Sequence, residues 1–257
     1  MIRARVIPCL LLKDGGLVKT MRFSNPRYIG DPINAVKIYN AKEVDELIFL
    51  DITATKEKRE PNYDLIKEIA EECFMPFSYG GGIRSIASIK KLLRLGVEKV
   101  ILNTASHENP TLVREAVNMF GSSTVIASID VKKNFLGKYK RYIRAGKKSV
   151  AGDIRDCVRD LEALGVGEIF INSIDRDGTM AGYDIELVRD LAERVSIPVI
   201  ACGGAGTLND VREVLQRTGI SAAAAGSIFV YHGKIKGVLI NYPNRAALDQ
   251  LNILQHS

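Results

Sequence analysis

Tryptophan is absent from the 257 residues, and histidine occurs three times, as His107, His232 and His256. Scattered imidazoles without ligand spacing argue against a zinc site, and no metal is expected. Cysteine is scarce too. Cys9, Cys73, Cys157 and Cys202 form no C-x-x-C pair, which argues for buried free thiols over a disulfide or metal site. No apolar run reaches about 18 residues, so no transmembrane helix is expected. Met1-Ile-Arg-Ala-Arg-Val6 enters a strand pattern at once and lacks the order of a signal peptide. A cytoplasmic location without a membrane partner follows as the expectation.

What is present is an ordinary globular composition, 46% hydrophobic and 26% charged, with a formal net charge of +6. Such a balance suits phosphorylated small molecules, nucleic acid or an acidic partner. The charge is concentrated between Lys132 and Lys148, which hold eight cations and no acid. This stretch reads either as a solvated hairpin or as a basic rim over an anionic ligand. It is the only support for a nucleic-acid partner, and none is expected.

Eight short apolar runs read as strands, at 6–12, 46–52, 76–80, 99–104, 124–130, 168–174, 198–203 and 222–228. Several are continuously apolar, as in strands covered on both faces. Helical patterns alternate with them, at 31–43, 62–73, 85–95, 110–120, 153–164, 184–195, 208–217 and 244–254. Gly96, Gly121, Gly165 and Gly219 stand just past helix ends. Eight such units predict a (β/α)8 TIM barrel of class α/β. The chain also repeats itself. Arg5-Val-Ile-Pro-Cys matches Thr124-Val-Ile-Ala-Ser, Glu46-Leu-Ile-Phe-Leu matches Glu168-Ile-Phe-Ile-Asn, and Pro76-Phe-Ser-Tyr-Gly matches Pro198-Val-Ile-Ala-Cys. The offsets are 119, 122 and 122 residues (5 to 124, 46 to 168, 76 to 198). Two half-barrels of four units follow, joined in one domain spanning 1–257, because neither half can bury its sheet alone.

Loops after the strands form the active face of such a barrel. Gly80-Gly81-Gly82-Ile-Arg84 and Gly203-Gly204-Ala-Gly206-Thr207 lie there at matching places in the two halves. Their unshielded N–H groups at helix N-termini suit phosphate, so a ligand with a phosphate at each end is predicted. Asn103-Thr104 and Gly226-Ser227 stand beside them. Asp130 ends the fifth strand as a candidate catalytic carboxylate. Asp175-Arg-Asp177-Gly178-Thr179 reads as a mouth-facing loop or a tight Asp-Gly turn. Lys19 falls in a long loop after strand one, of a kind that closes over substrate. At the other end, Arg5, Glu46, Lys99 and Glu168 each begin a strand. They read as a salt-bridge ring or as four solvated strand starts.

Taken together, Arg5-Val-Ile-Pro-Cys-Leu10, Lys13-Asp14-Gly15, Gly30-Asp31-Pro32, Phe49-Leu-Asp51-Ile-Thr53-Ala54, Gly80-Gly-Gly-Ile-Arg84-Ser85, Asp175-Arg-Asp177-Gly-Thr179 and Ile200-Ala-Cys-Gly-Gly-Ala-Gly206 make the chain resemble the cyclase subunit of imidazole glycerol phosphate synthase (HisF) over nearly its whole length. The resemblance implies a two-phosphate ribonucleotide substrate and no cofactor. It also implies a heterodimer with a HisH-like glutaminase, whose ammonia enters at the barrel's N-terminal end. It gives Asp130 the role of one of two catalytic carboxylates, the glycine turns the phosphates, and Arg5, Glu46, Lys99 and Glu168 the ammonia gate.

The departures from the family pattern are as informative. The family's second aspartate lies on strand one, where this chain has Leu11. Phe77-Ser78-Tyr79 replaces smaller residues, and the ending around Tyr242-Pro243-Asn244 differs. These changes resemble a branch found with surface-polysaccharide gene sets. That branch is thought to work with a glutaminase and a sugar amidotransferase to form acetamidino sugars of lipopolysaccharide O-antigen. Leu11 thus points to that paralogue role. The histidine-pathway cyclase is the alternative, and a non-catalytic ammonia conduit a second one.

Overall fold

The computed structural model describes residues 4–233 and 235–252. His256 and the predicted end of the last helix, at 253–254, lie outside the described residues. The apolar runs form eight strands: β1 (Arg5–Lys13), β2 (Leu47–Asp51), β3 (Phe77–Gly80), β4 (Lys99–Leu102), β5 (Val125–Lys133), β6 (Glu168–Ser173), β7 (Val199–Cys202) and β8 (Ala222–Ala225). Each pairs in parallel with the next, and β8 pairs with β1 through Arg5↔Ala222, so the sheet closes on itself. The expected (β/α)8 barrel is the observed fold.

Eight longer helices follow the strands: α1 (Pro32–Ala41), α2 (Tyr63–Glu72), α3 (Ile86–Arg94), α4 (Pro110–Phe120), α5 (Ile154–Ala163), α6 (Ile185–Ala192), α7 (Leu208–Thr218) and α8 (Arg245–Asn252). Asp31, Asn62, Ser85, Asn109, Asp153, Asp184 and Thr207 cap the first seven, each accepting a first-turn backbone N–H. Gly96, Gly121, Gly165 and Gly219 have positive φ, as required of the residue that carries the chain off a helix end.

The structure adds detail to the sequence reading along the strands and their extensions. Two strands stop early, because Asn103 and Gly226 turn to ψ −78° and −65° and start short helices, Thr104–Glu108 and Ser227–Val230. The stretch after β1 is not an irregular loop. It is a ribbon of Gly16–Met21 and Ser24–Gly30 that continues β1 antiparallel, with Leu11↔Val18 and Lys13↔Gly16 in register. Asp14 and Gly15, at φ +51° and +80°, supply the tight turn whose twist matches such a hairpin. A second ribbon, Tyr139–Ile143 and Lys148–Val150, extends β5 in the same way and contains the basic stretch. Each half-barrel therefore carries a ribbon on its first strand.

The core has two parts, as alternation along each strand dictates. Val6, Leu10, Val125, Ile129, Ile169 and their like face the helices. A smaller interior set fills the barrel, with Ile7, Cys9, Ile48, Ile101, Ile126, Phe170, Ile200, Cys202, Ala222 and Ala224. Two of the departures find packing roles. Phe77 meets Phe49 edge-on at 5.9 Å. Tyr242 packs on Phe229 and donates its hydroxyl to the Val6 carbonyl at 2.8 Å, which ties the C-terminal segment to the barrel. Among the described residues, no helix is long and apolar enough to cross a membrane.

Candidate active site at the C-terminal mouth

The four charged strand starts meet at the N-terminal end of the barrel. Arg5 Nη1 donates to Glu46 at 2.9 Å and its other terminal nitrogen donates to Glu168. Lys99 Nζ lies 2.6 Å from Glu168 and 3.8 Å from Glu46. Two acids alternate with two bases in a closed ring, so these are not solvated strand starts. Burial works against both the Arg5 and the Glu168 charges. The Arg5–Glu168 contact and its Lys99 and Glu46 neighbours outweigh it, raising the Arg5 pKa and lowering that of Glu168. Above the ring, Ser78 Oγ and Asn172 Oδ1 are buried without a hydrogen-bond partner on strands whose alternate residues face the barrel interior.

At the other end a cleft of about 940 Å³ opens over the strand C-termini. The two glycine turns form facing walls, and the repeat seen in sequence holds in space. A Cβ on Gly81 would sit 2.5 Å from the Asp51 carbonyl oxygen, and one on Gly203 would sit 2.7 Å from that of Ser173. Both positions also have φ near +100°, so only glycine lets the turn lie flat against the neighbouring strand end. The first turn is braced by Asp51. Its carboxylate accepts from Thr53 N and Ala54 N at 3.0 Å and from Arg59 Nη2 at 2.8 Å. This network was not singled out from the sequence. Its available signal was a carboxylate at a barrel-strand end, the same signal that marked Asp130.

Asp130 projects from β5 into the cleft beside Asn172 on β6 and is 7% exposed. Burial, and then the nearby charge of Asp177, push its pKa up to about 7. The counterpart on β1 is Leu11, which lines the same cleft next to Leu50. That wall is apolar where the opposite one is acidic. Cys9 and Cys202 line the floor as free thiols, and the hydrogen bond with Cys9, followed by burial, raises the Cys202 pKa.

The loop after β6 proves to be an anchor for the first ribbon. Asp177 accepts from Lys19 Nζ at 2.7 Å, from Thr20 Oγ1 at 2.7 Å and from Phe23 N at 3.2 Å. A Cβ on Gly178 would collide with the Thr20 carbonyl. Lys19 and Asp177 are thus partners in a buried ion pair. Lys19 lies over Gly226, whose added Cβ would come 3.1 Å from Lys19 Cε. Thr179 is not brought to the cleft wall. Its hydroxyl donates to the Arg176 carbonyl at 2.8 Å and closes a local turn. Asp175 likewise turns away, accepting from Lys133 N at 2.8 Å. Gly206 sits behind the second turn, with its N–H held by Asp210 at 2.8 Å. Lys19, Asp177, Gly178, Asn103, Thr104, Gly204, Gly226 and Ser227 do line the cleft, with Gly81, Gly82 and Gly203.

The basic hairpin is both things that the sequence allowed. Most of its cations are exposed, yet Arg144 and Lys147 reach the cleft rim. Arg144 N donates to Thr104 Oγ1 at 3.0 Å and its guanidinium pairs with Glu108 at 2.8 Å, which fixes the ribbon over the gap after β4. Lys56, Lys58 and Arg84 stand around the first glycine turn. The acids of the cleft are mostly neutralised by partners, so the mouth is electropositive. Among the described residues, no three His, Cys, Asp or Glu side chains cluster closely enough to hold a metal ion.

The fold and this mouth define a (β/α)8 barrel protein with a large cationic cleft at the strand C-termini and a closed ion-pair ring at the opposite end. The sequence matches the model of the histidine biosynthesis protein family over residues 5–236, and the chain belongs to that family, among its HisF proteins. It is 53% identical, over 97% of its length and 99% of the relative's, to a Pseudomonas aeruginosa protein named "Putative imidazole glycerol phosphate synthase subunit hisF2". Identity is 41% to the imidazole glycerol phosphate synthase subunit HisF of Streptococcus sanguinis, over 90% of this chain and 92% of that one. The corresponding protein of Lactococcus lactis is 44% identical over 90% of each chain.

Proposed function

We propose that this chain is the ammonia-using subunit of a HisF-type synthase, built as one domain and working in the cytoplasm. A HisH-like glutaminase docks at the N-terminal end as the other half of a heterodimer. Ammonia passes the ring of Arg5, Glu46, Lys99 and Glu168 and reaches a phosphorylated small molecule in the cleft. Supporting this reading is the pairing of a closed ion-pair ring at one end with two symmetry-related glycine turns at the other. The turns, with Asn103, Thr104, Gly226 and Ser227, offer N–H and hydroxyl donors for a phosphate on each side of Asp130. The unpartnered polar atoms of Ser78 and Asn172 offer stepping points for a small polar molecule between the two ends.

The relatives' names make the imidazole glycerol phosphate synthase reaction the first to test. The chain, with and without a glutaminase subunit, is placed in a histidine auxotroph lacking its own cyclase subunit. Growth without histidine at the normal rate is the expected result for this reaction, and absence of growth with the protein expressed rejects it. Leu11 supports a second reading, in which the same architecture serves acetamidino-sugar formation for lipopolysaccharide O-antigen, with a sugar amidotransferase as further partner. Two carboxylates divide the proton transfers of the cyclisation, and each such group contributes about 10²–10⁴-fold. Leucine transfers no proton. Under this reading the auxotroph stays unrescued, while deletion of the gene in its own host removes the acetamidino group from the surface polysaccharide.

A further inference from the structure

Two apolar side chains stand at the end of the second ribbon and face water. Phe135 is 95% exposed and Leu136 66%. They form the turn between β5 and Tyr139–Ile143, beyond the point where β5 passes Asp130. The turn is firmly built. Asn134 Oδ1 accepts from Leu136 N at 3.0 Å and from Lys138 N at 2.9 Å, and Asn134 N donates to the Lys138 carbonyl at 2.8 Å. Gly137, at φ +75°, lets its N–H reach the Asn134 carbonyl at 2.9 Å. These bonds fix the tip backbone with both side chains outward. Lysines stand directly behind. Lys132 lies opposite Lys140 across the ribbon, and Lys133 opposite Tyr139, with its Nζ 4.7 Å from the ring centre. Like charges opposed in this way repel. The acids near the stretch are Asp175, which accepts from Lys133 N, Asp184, which accepts from the Tyr139 hydroxyl, and Glu186 on the first turn of α6. Among the described residues, neither they nor any other acid pairs with the ammonium groups of Lys132, Lys133, Lys138 or Lys140.

An anion in the cleft would use the lysines but gives no reason for two exposed apolar side chains. An apolar protein surface would cover the tip but would leave Lys132 and Lys140 repelling each other. A bilayer with anionic headgroups above its hydrocarbon has both layers, in the order in which the ribbon presents them. We propose that this tip docks the barrel reversibly on an anionic lipid bilayer, with Phe135 and Leu136 entering the hydrocarbon edge and the four lysines lying among the headgroups. The absence of a long apolar helix bears on spanning segments, whereas a tip of this kind binds peripherally. Its two parts correspond to the two signals that stable surface attachment takes, an inserted apolar group and a basic patch. Phe74 is the contrast. It is 84% exposed but follows Glu71 and Glu72, so it meets the first requirement without the second. The cleft opens at the same end of the barrel as the tip, so docking brings its mouth to the bilayer surface. The docking is independent of which reaction the cleft performs.

Because the chain has no tryptophan, Phe135→Trp places a single indole at the tip and reads insertion directly. The full chain is mixed at low salt with vesicles of phosphatidylcholine alone, and with vesicles of phosphatidylcholine and phosphatidylglycerol in equal parts. With the mixed vesicles the indole emission is expected to shift to the blue and the wild type to co-sediment. With phosphatidylcholine alone neither occurs. Phe135→Ser combined with Leu136→Ser weakens sedimentation by about 30-fold or more, as the loss of two inserted apolar side chains requires. Lys132→Gln combined with Lys140→Gln weakens it by about 25-fold, from about 5-fold per lysine at such a surface. Added salt removes the lysine share. Phe74→Ser binds as the wild type does. Sedimentation unchanged by the two serine substitutions at the tip shows only the general attraction of a chain of net charge +6, and overturns the proposal. An indole emission that stays unshifted while the protein sediments places the tip outside the hydrocarbon and overturns it as well. Absence of binding to the mixed vesicles also overturns it and leaves the tip to a protein partner.

Discussion

Replacing Asp130 with asparagine is expected to stabilise the protein, and to do so only above acidic pH. The carboxyl is buried, lacks a hydrogen bond from a described residue, and has its pKa displaced from the ordinary 3.8 to about 7. At 1.36 kcal/mol per pK unit, holding this group ionised at pH 8 costs the folded state about 4 kcal/mol. Relaxation and water entry bring the expected effect to about 2–4 kcal/mol. The sign follows from proton linkage. Between pH 4 and 7 the folded chain retains a proton that the unfolded chain has released, so wild-type stability falls as pH rises through that window. The asparagine variant has no such slope. Urea unfolding of both proteins at pH 4, 6, 7 and 8.5 gives the difference directly, and subtraction cancels every other titrating group. The amide's own burial cost is equal at all pH values, so the slope is the observable and the offset is not. The difference should be near its minimum at pH 4 and level off above 7. In thermal scans at pH 8.5 the gain corresponds to roughly 5–15 °C in Tm, from about 2–4 °C per kcal/mol for a chain of this size. A difference that stays flat within about 1 kcal/mol across the series refutes the reasoning and places Asp130 in contact with water or a compensating cation.

Four further outcomes are expected. Arg5→Met leaves Glu168 and Glu46 short of a partner and costs about 1–3 kcal/mol in urea unfolding, the lower end reflecting the partial exposure of Arg5. Because Glu168 has a lowered pKa, its share of ring stability is present above the unfolded carboxylate range and is lost as pH falls through the folded value; a wild-type-minus-Glu168→Gln difference that fails to shrink below about pH 4 contradicts the ring assignment. Gly81→Ala meets the Asp51 carbonyl at a left-handed φ and costs about 2–4 kcal/mol, measured by thermal unfolding, whereas Gly15→Ala, with open space around it, costs only its backbone strain. Leu11→Asp restores a second carboxylate to the mouth and raises turnover in the imidazole glycerol phosphate synthase assay by about 100-fold; an unchanged rate shows that Leu11 is not what limits that reaction.

Much of the architecture was written in the sequence. Continuous apolar runs, capped helices and a repeat near 122 residues determine an eight-unit barrel, because each feature is local or periodic. The glycine turns were legible for the same reason, since a left-handed φ beside a neighbouring strand leaves glycine as the sole workable residue. Asp130 and Leu11 were readable as the ends of two strands, and their opposition across the cleft follows from the repeat. The partnerships were settled by the tertiary structure. Lys19 and Asp177 lie 158 positions apart, and each on its own reads as a ligand-facing group. Packing of the first ribbon on Gly178 also joins them to each other, and both still line the cleft. Thr179 and Gly206 carry the right chemistry for a phosphate, and local hydrogen bonds turn them from the cleft. The ring at the other end is of the same kind. Four strand starts spread from 5 to 168 become one ion-pair network only when the sheet closes. Sequence determines which groups are available and where along each strand they stand. Barrel closure decides which of them neutralise one another, because Coulomb and hydrogen-bond energies depend on separations of a few ångströms that no spacing along the chain encodes.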